Sequence, residues 1–348
     1  MGAMERRDVI LKYIDMSKKG IEIAPYFNPT IAKRDGHDVL ILDVFDTERL
    51  RALAKNDPFI PNERLHEIEE VDIVCDASNI GDVLTQKGLA GQIHHIVSSH
   101  NFEHLPNPIL FLQGVEKVLA PGGILSMAVP DYRACFDHFR MPTRLSDWLS
   151  AFHCGVRQPS PETIFDNASN AAHYYRNEKP ESGCSLGVDD PSLFRPAERL
   201  KEAYTEYLRG CVEPGDYRDA HCSVFFPQTL DLMINDLRFI GLIGLEVEEI
   251  TLTHGHEFFV HLRRRVTSSP MDERAFYVRR HELMVEISNS LGAAPYNQCS
   301  DKTKILLAPK GTIRRVIENA LGKSTYMLLR RWNRRRKDAI RARKKYKT

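Results

Sequence analysis

The sequence predicts an α/β domain whose sheet is mainly parallel and covered by helices, and three observations predict it. First, residues 93–131 (IHHIVSSHNFEHLPNPILFLQGVEKVLAPGGILSMAVPD) read in one pass as strand, polar turn, helix, Pro-Gly-Gly turn and second strand. The apolar runs at Ile93, Ile96 and Val97 and at residues 124–129 are too short for helices and suit strands buried on both faces. Between them Ile109, Leu112, Val115, Val118 and Leu119 recur at helical spacing. Second, comparable short runs end in polar loops at residues 20–23, 39–44 (VLILDV) and 71–75 (VDIVC). Third, 348 residues with 42% apolar content suffice for one large core, and no apolar stretch reaches the roughly eighteen residues of a membrane span. Strands alternating with helices in this way define a Rossmann-like domain.

Each element has its own signals. Asp43 closes the second strand, and an acidic residue there in nucleotide-binding α/β folds accepts hydrogen bonds from ribose hydroxyls. Asp46 competes with it as the cap of the following helix. The turn His100-Asn101-Phe102-Glu103-His104 spells H-x-x-E-H, a zinc-protease pattern when it lies on one continuous helix. Pro106 and Pro108 break any such helix at once, which excludes that reading. Seven scattered cysteines, never spaced as CxxC, argue against a disulfide framework or a zinc knuckle and place the chain in a reducing cytoplasm. The N-terminus has no signal-peptide core.

The stretches SSHNFEHLPNP, KVLAPGG and a strand ending in VPD resemble the fourth and fifth strands of class I S-adenosylmethionine-dependent methyltransferases. With GIEIAPYFNP, ILDVFDTERLR, VPDYRACFDHFRMPTRLSDWL, RQPSPETIFDN, DAHCSVFFPQTL and HGHEFFVHLRR, the chain is similar to a bacterial subgroup found with glycosyltransferases and surface-polysaccharide enzymes. The resemblance spans roughly residues 19–265. It implies S-adenosylmethionine as cofactor, held by Glu22, Ala24, Pro25, Asp43, Asp76, Ala77, Ser99 and His100. Ala24 stands where a glycine is usual, because backbone must pass close to the methionine end of the cofactor. No metal is expected; Glu103 and His104 are the pair that could hold one, as a Glu-His pair does in some O-methyltransferases.

The expected domain plan follows from where the core signals resume. Residues 1–131 form the first part of the core. A helix at 228–242 and strands at 247–251 and 257–262 complete it within residues 227–265. Residues 132–226 are therefore a large, mainly helical insertion between strands five and six, too long for a plain loop and placed to cover the strand ends where ligands bind. Residues 266–348 form a helical extension, beginning with an amphipathic helix at 272–291.

The insertion is rich in carboxylates, imidazoles and aromatics, which suits a hydroxylated acceptor. Asp131, Arg133, Asp137, His138 and Arg140 are the expected acceptor contacts. Methyl transfer to a hydroxyl requires alignment and removal of one proton. The candidate groups for that are His221, then His138, then His100, with Asp219 or Asp131 as orienting or acceptor-holding carboxylates. The expected activity is O-methylation of a sugar hydroxyl in a glycan or glycan precursor. Two alternatives are O-methylation of a small natural product and a cofactor-free scaffold in a glycan-assembly complex.

Net charge +1 conceals an asymmetry. Residues 313–348 hold fourteen Lys or Arg against Glu318 and Asp338, a net +12, so the preceding residues carry −11. Apolar residues at near-helical spacing among those arginines suit an anionic membrane surface or an acidic partner, with a solvated tail as the equal alternative; the first reading gives a cytoplasmic protein peripheral to the inner face of the membrane. A glycosyltransferase is the expected protein partner. Nucleic acid is not expected, since no recognition motif accompanies the charge.

Overall fold

A computed structural model of the chain describes residues 5–57, 60, 62–176, 178–181, 190–213, 217–266 and 271–291. The basic tail at 313–348, with its membrane and partner expectations, lies outside the described residues. Among the described residues no helix is long and apolar enough to cross a membrane.

The core is a seven-stranded sheet in the order β3-β2-β1-β4-β5-β10-β9. Its strands are β1 Gly20–Ile23, β2 Val39–Asp43, β3 Ile73–Val74, β4 Ile93–Ser99, β5 Leu119–Pro130, β9 Leu245–Ile250 and β10 Glu257–Arg264. The first five run parallel, and β10 is antiparallel to both β5 and β9. The chain starts in the middle of the sheet, steps outward to β3, and returns to β4 on the other side of β1. That reversal between β1 and β4 is the topological switch point, where open α/β sheets leave a crevice at the strands' carboxyl ends.

Helices Ile80–Gln86, Pro108–Val118 and Pro227–Phe239 cover one face with Ile80, Leu84, Ile109, Leu112, Val115, Leu230 and Ile234, all fully buried. The first two cross where Gly81 meets Gly114; a Cβ on Gly81 would stand 2.6 Å from the Gly114 Cα. Ile10, Ile31, Val39, Ile41, Val97, Ala128 and Phe259 fill the other face. The helix at Glu273–Ser290 packs back on the completed core, with Phe276 stacked on Phe239 at 3.7 Å between centroids.

Local chemistry explains where the elements begin and end. Asn107 accepts from Leu110 N and Pro108 occupies the first turn, so helix Pro108–Val118 starts where LPNP places it. Pro121-Gly122-Gly123, expected to stop the helix and turn the chain into the next strand, instead forms a bulge within β5, which already begins at Leu119 right after the helix ends at Val118. Gly122 adopts φ +79°, and the pairing with β4 jumps from Ile93–Leu119 to His95–Ile124. The expected third strand shrinks to two residues because the Asp72 carboxylate accepts from Ile41 N next to the ladder.

The segment expected as an insertion joins β5 to the Pro227–Phe239 helix and combines helices with a small sheet. It has helices Leu145–His153, Pro161–Asn170 and Leu200–Val212, together with a small antiparallel sheet of β6 Ala172–Arg176, β7 Lys179–Glu181 and β8 Phe194–Pro196. Alternation in AHYYR is too short to be distinguished from a helical turn by period alone.

Two histidines are buried within the core sheet. His95 is 2% exposed over Gly20, with neither ring nitrogen hydrogen-bonded, and His261 is fully buried with Nδ1 2.9 Å from Ser126 Oγ. Burial pushes both imidazoles down to about 4. Their folded pKa values lie below the unfolded value of about 6.5, so their neutral forms stabilise the fold above that pH. Stability should therefore fall as pH drops from about 6.5 to 4, by up to about 3 kcal/mol per histidine. Imidazole NMR should show these two rings neutral at pH 5.5; protonation near 6.5 would contradict the burial argument.

Candidate active site

The carboxyl ends of β1 and β4 carry three of the four non-glycine residues with positive φ among the described residues: Ala24 and Tyr26 at +49° and His100 at +48°. Strained backbone of this kind survives only where surrounding contacts hold it, and it concentrates at functional sites. Ala24 thus adopts the glycine-like conformation expected of its loop. Glu22, 2% exposed, accepts from Thr30 N at 2.7 Å and Ile31 N at 2.8 Å, folding the loop back onto β1. Burial raises its pKa. Pro25 accepts from Asn28 N within the same turn.

At the end of β2 the competition between two aspartates is resolved. Asp46 caps helix Thr47–Ala54 by accepting from Arg49 N, while Asp43, the last residue of β2, accepts from Phe45 N. Asp43 is 4% exposed, and burial raises its pKa. Val44 and Phe45 beside it are exposed apolar groups. Asp76 accepts from Ser78 N at the turn that begins with Ala77.

Beyond β4 the residues of the H-x-x-E-H turn face several directions. Phe102–His104 is a single 3-10 turn, not a continuous helix. Phe102 anchors it, packed among Phe111, Trp148 and Phe225. Arg6, on the short N-terminal helix Arg6–Ile10, spans the ends of β4 and β10, bonding Ser99 Oγ at 2.7 Å and both oxygens of Glu257. His100 Nε2 lies 2.9 Å from Glu257 and Nδ1 3.6 Å from Glu103 Oε1. Burial would lower the His100 pKa, but the two carboxylates outweigh it and bring it to about 9. Burial likewise opposes ionisation of Glu257, yet His100 and Arg6 hold it down at about 2.

The return of the insertion delivers His221 to this turn. Glu103 O accepts from Cys222 N at 2.7 Å and Ser223 N at 3.0 Å, and Asp131 bridges Phe225. Main-chain pairing of this kind holds His221 against the H-x-x-E-H turn, 117 positions upstream in sequence at His104, with their rings perpendicular at 4.6 Å. Each ring is oriented by a carboxylate. His221 Nδ1 meets Asp137 Oδ2 at 2.5 Å, and His104 Nδ1 meets Asp219 Oδ1 at 2.9 Å. Asp219, expected to orient His221, is therefore the partner of His104. Burial raises the Asp137 pKa, but His221 and Arg140 together outweigh it and the net direction is down; His104 lowers that of Asp219. Arg140, 4% exposed, ties the assembly together by reaching Asp137, Asp166 and the His221 carbonyl.

The remaining expected residues lie behind this surface. Asp131 is fully buried and accepts from Arg133 and from Thr253 Oγ1, while the Arg133 guanidinium covers the Phe226 ring at 4.4 Å. They form a clasp joining the start of the insertion to the turn between β9 and β10. His138, 1% exposed, packs between Phe139 and Phe194 with Nδ1 2.8 Å from Cys135 O. Sequence reasoning missed Arg6 and Glu257, because nothing in RRDVI or HGHEFF marks residues 251 positions apart as an ion pair.

No protein-family model matches the chain, and no curated protein matches it in sequence. Solved structures similar to it include a SAM-dependent methyltransferase from Methanosarcina mazei, 12% identical, covering 76% of this chain and 100% of its own at TM-score 0.39. Another is an S-adenosylmethionine-dependent methyltransferase from Mesorhizobium loti, 12% identical, covering 74% and 98% at TM-score 0.36. A third, from Rhodobacter sphaeroides, carries a provisional description as a Zn-dependent alcohol dehydrogenase; it is 12% identical and covers 76% and 90% at TM-score 0.40. Likenesses this distant do not decide an activity.

Proposed function

We propose that the chain is an S-adenosylmethionine-dependent methyltransferase that methylates a hydroxyl of a sugar acceptor. The observation that carries this reading is the pair of strained turns at Ala24 and His100 at the switch point, with His100 Nδ1 3.6 Å from Glu103, which clusters with His104 and His221. A nucleoside donor bound along the ends of β1, β2 and β4 has Asp43 for its ribose and Val44 and Phe45 for an aromatic base. The donor's reactive end then meets the polar groups brought by the insertion. The sulfonium methyl is already electrophilic, so the protein's contribution is in-line alignment and charge removal from the attacking hydroxyl. Glu103, His104 and His221 form the polar wall that can activate that oxygen. The imidazoles and carboxylates of the insertion, with exposed Phe139 and Met141 nearby in sequence, suit a sugar's mixed polar and apolar faces.

Calorimetry with S-adenosylmethionine and its demethylated product tests the donor site and separates an enzyme from a cofactor-free scaffold. The native chain should bind both, and Asp43→Ala should weaken binding by roughly 1.5–3 kcal/mol through loss of charge-assisted hydrogen bonds. Absence of binding by the native chain would leave the scaffold as the better reading.

A further inference from the structure

We infer that Glu103, His104 and His221 form a binding site for one divalent transition-metal cation. The inference rests on the same pocket as the proposed activity and specifies how that pocket is equipped. One ligand atom from each residue lies within 4.8 Å of the others, and side-chain shifts of roughly 1 Å would bring them to the separation of about 3.4 Å that ligand atoms bonded at about 2.1 Å to one tetrahedral cation take. The donor set of two imidazoles and one carboxylate suits zinc, iron, cobalt or nickel, whereas magnesium and calcium prefer oxygen alone.

Two further observations point to a cation. Glu103 is 1% exposed, and neither carboxylate oxygen has a hydrogen-bond partner. The nearest imidazole nitrogens, His100 Nδ1 at 3.6 Å and His104 Nε2 at 3.9 Å, are beyond good hydrogen-bond length. A buried carboxylate left in this state is costly unless a charge completes it. In addition, both imidazoles have Nδ1 bound to a carboxylate, His104 to Asp219 and His221 to Asp137, which leaves each Nε2 for a ligand. Carboxylate–imidazole pairs in this arrangement fix ring orientation and strengthen the nitrogen as a metal donor. A cation held there would offer its remaining positions to water or an acceptor oxygen and lower the pKa of either. His221 is then a ligand, not itself the base.

Equilibrium dialysis of the metal-stripped full chain against Zn²⁺ or Co²⁺, read by elemental analysis and by the visible absorption of Co²⁺, tests the site without donor or acceptor. The expected result is one equivalent bound, with Mg²⁺ at least 100-fold weaker. Glu103→Gln and His221→Ala should each lower affinity by 100-fold or more. Asp219 is 63% exposed, so Asp219→Asn leaves the fold intact and should lower affinity 10- to 100-fold through His104. Cys222→Ser, beside the site but outside the donor set, should bind as the native chain does. Stoichiometric binding that Asp219→Asn and Glu103→Gln leave unchanged, or no stoichiometric binding, overturns the inference. Loss of S-adenosylmethionine binding with cation binding intact would instead overturn the donor reading alone.

Discussion

Replacing His221 by Ala should lower kcat on a sugar acceptor by about 10²–10⁴, the range for loss of a group that activates the attacking hydroxyl, while S-adenosylmethionine affinity stays within about twofold. The separation follows from placement. The proposed donor crevice lies along β1, β2 and β4, whereas His221 arrives from the insertion and is held by Asp137, Arg140 and the main chain of Glu103. Asp137→Asn should reproduce part of the loss, because it removes the carboxylate that fixes the His221 ring while leaving its volume in place. His138→Ala should not reproduce it, since that ring packs behind the surface between Phe139 and Phe194. Steady-state rates of the three variants, with calorimetry of the donor, check this. A His221→Ala enzyme with near-native kcat would remove the residue from the chemistry.

Asp131→Ala should destabilise the protein by about 3–5 kcal/mol, the magnitude expected when one member of a buried ion pair is removed and the other charge is left behind. Asp131 is fully buried, and Arg133 is 6% exposed with its guanidinium against Phe226, so water cannot replace the lost carboxylate. Thr253 also loses its acceptor at 2.5 Å. If Asp131 instead served to hold the acceptor, its removal would raise KM with little change in stability. Urea unfolding and a double-mutant cycle with Arg133→Met decide the matter: the double variant should be less destabilised than the sum of the two singles. Additive effects would show that the two side chains do not form the clasp.

The sequence by itself determined the elements and most of their order. Short apolar runs and helical stripes depend on local burial, which is written into neighbouring residues, so β1, β2, β4, the helix at Pro108–Val118 and the final pair of strands are all legible. Asp43 at the end of an apolar strand is legible for the same reason. The bulge at Pro121-Gly122-Gly123 was not, because a Gly-rich turn and a Gly-rich bulge have the same composition and differ only in whether a partner strand continues alongside.

Tertiary structure alone decided which polar groups share a site. Sequence proximity suggests pairing Asp219 with His221 and Asp137 with His138. In the fold the pairs are Asp219 with His104 and Asp137 with His221, across 115 and 84 positions. Nearness in sequence does not make two side chains meet, since adjacent residues on an extended backbone point to opposite sides and each side chain bonds whatever the fold brings opposite it, whereas main-chain bonds from Cys222 and Ser223 to Glu103 bring distant side chains face to face. The same separation governs Arg6 and Glu257. Hydrophobic patterning is a local property of the chain, but a constellation of charges depends on strand order, and that order exists only once the sheet has formed.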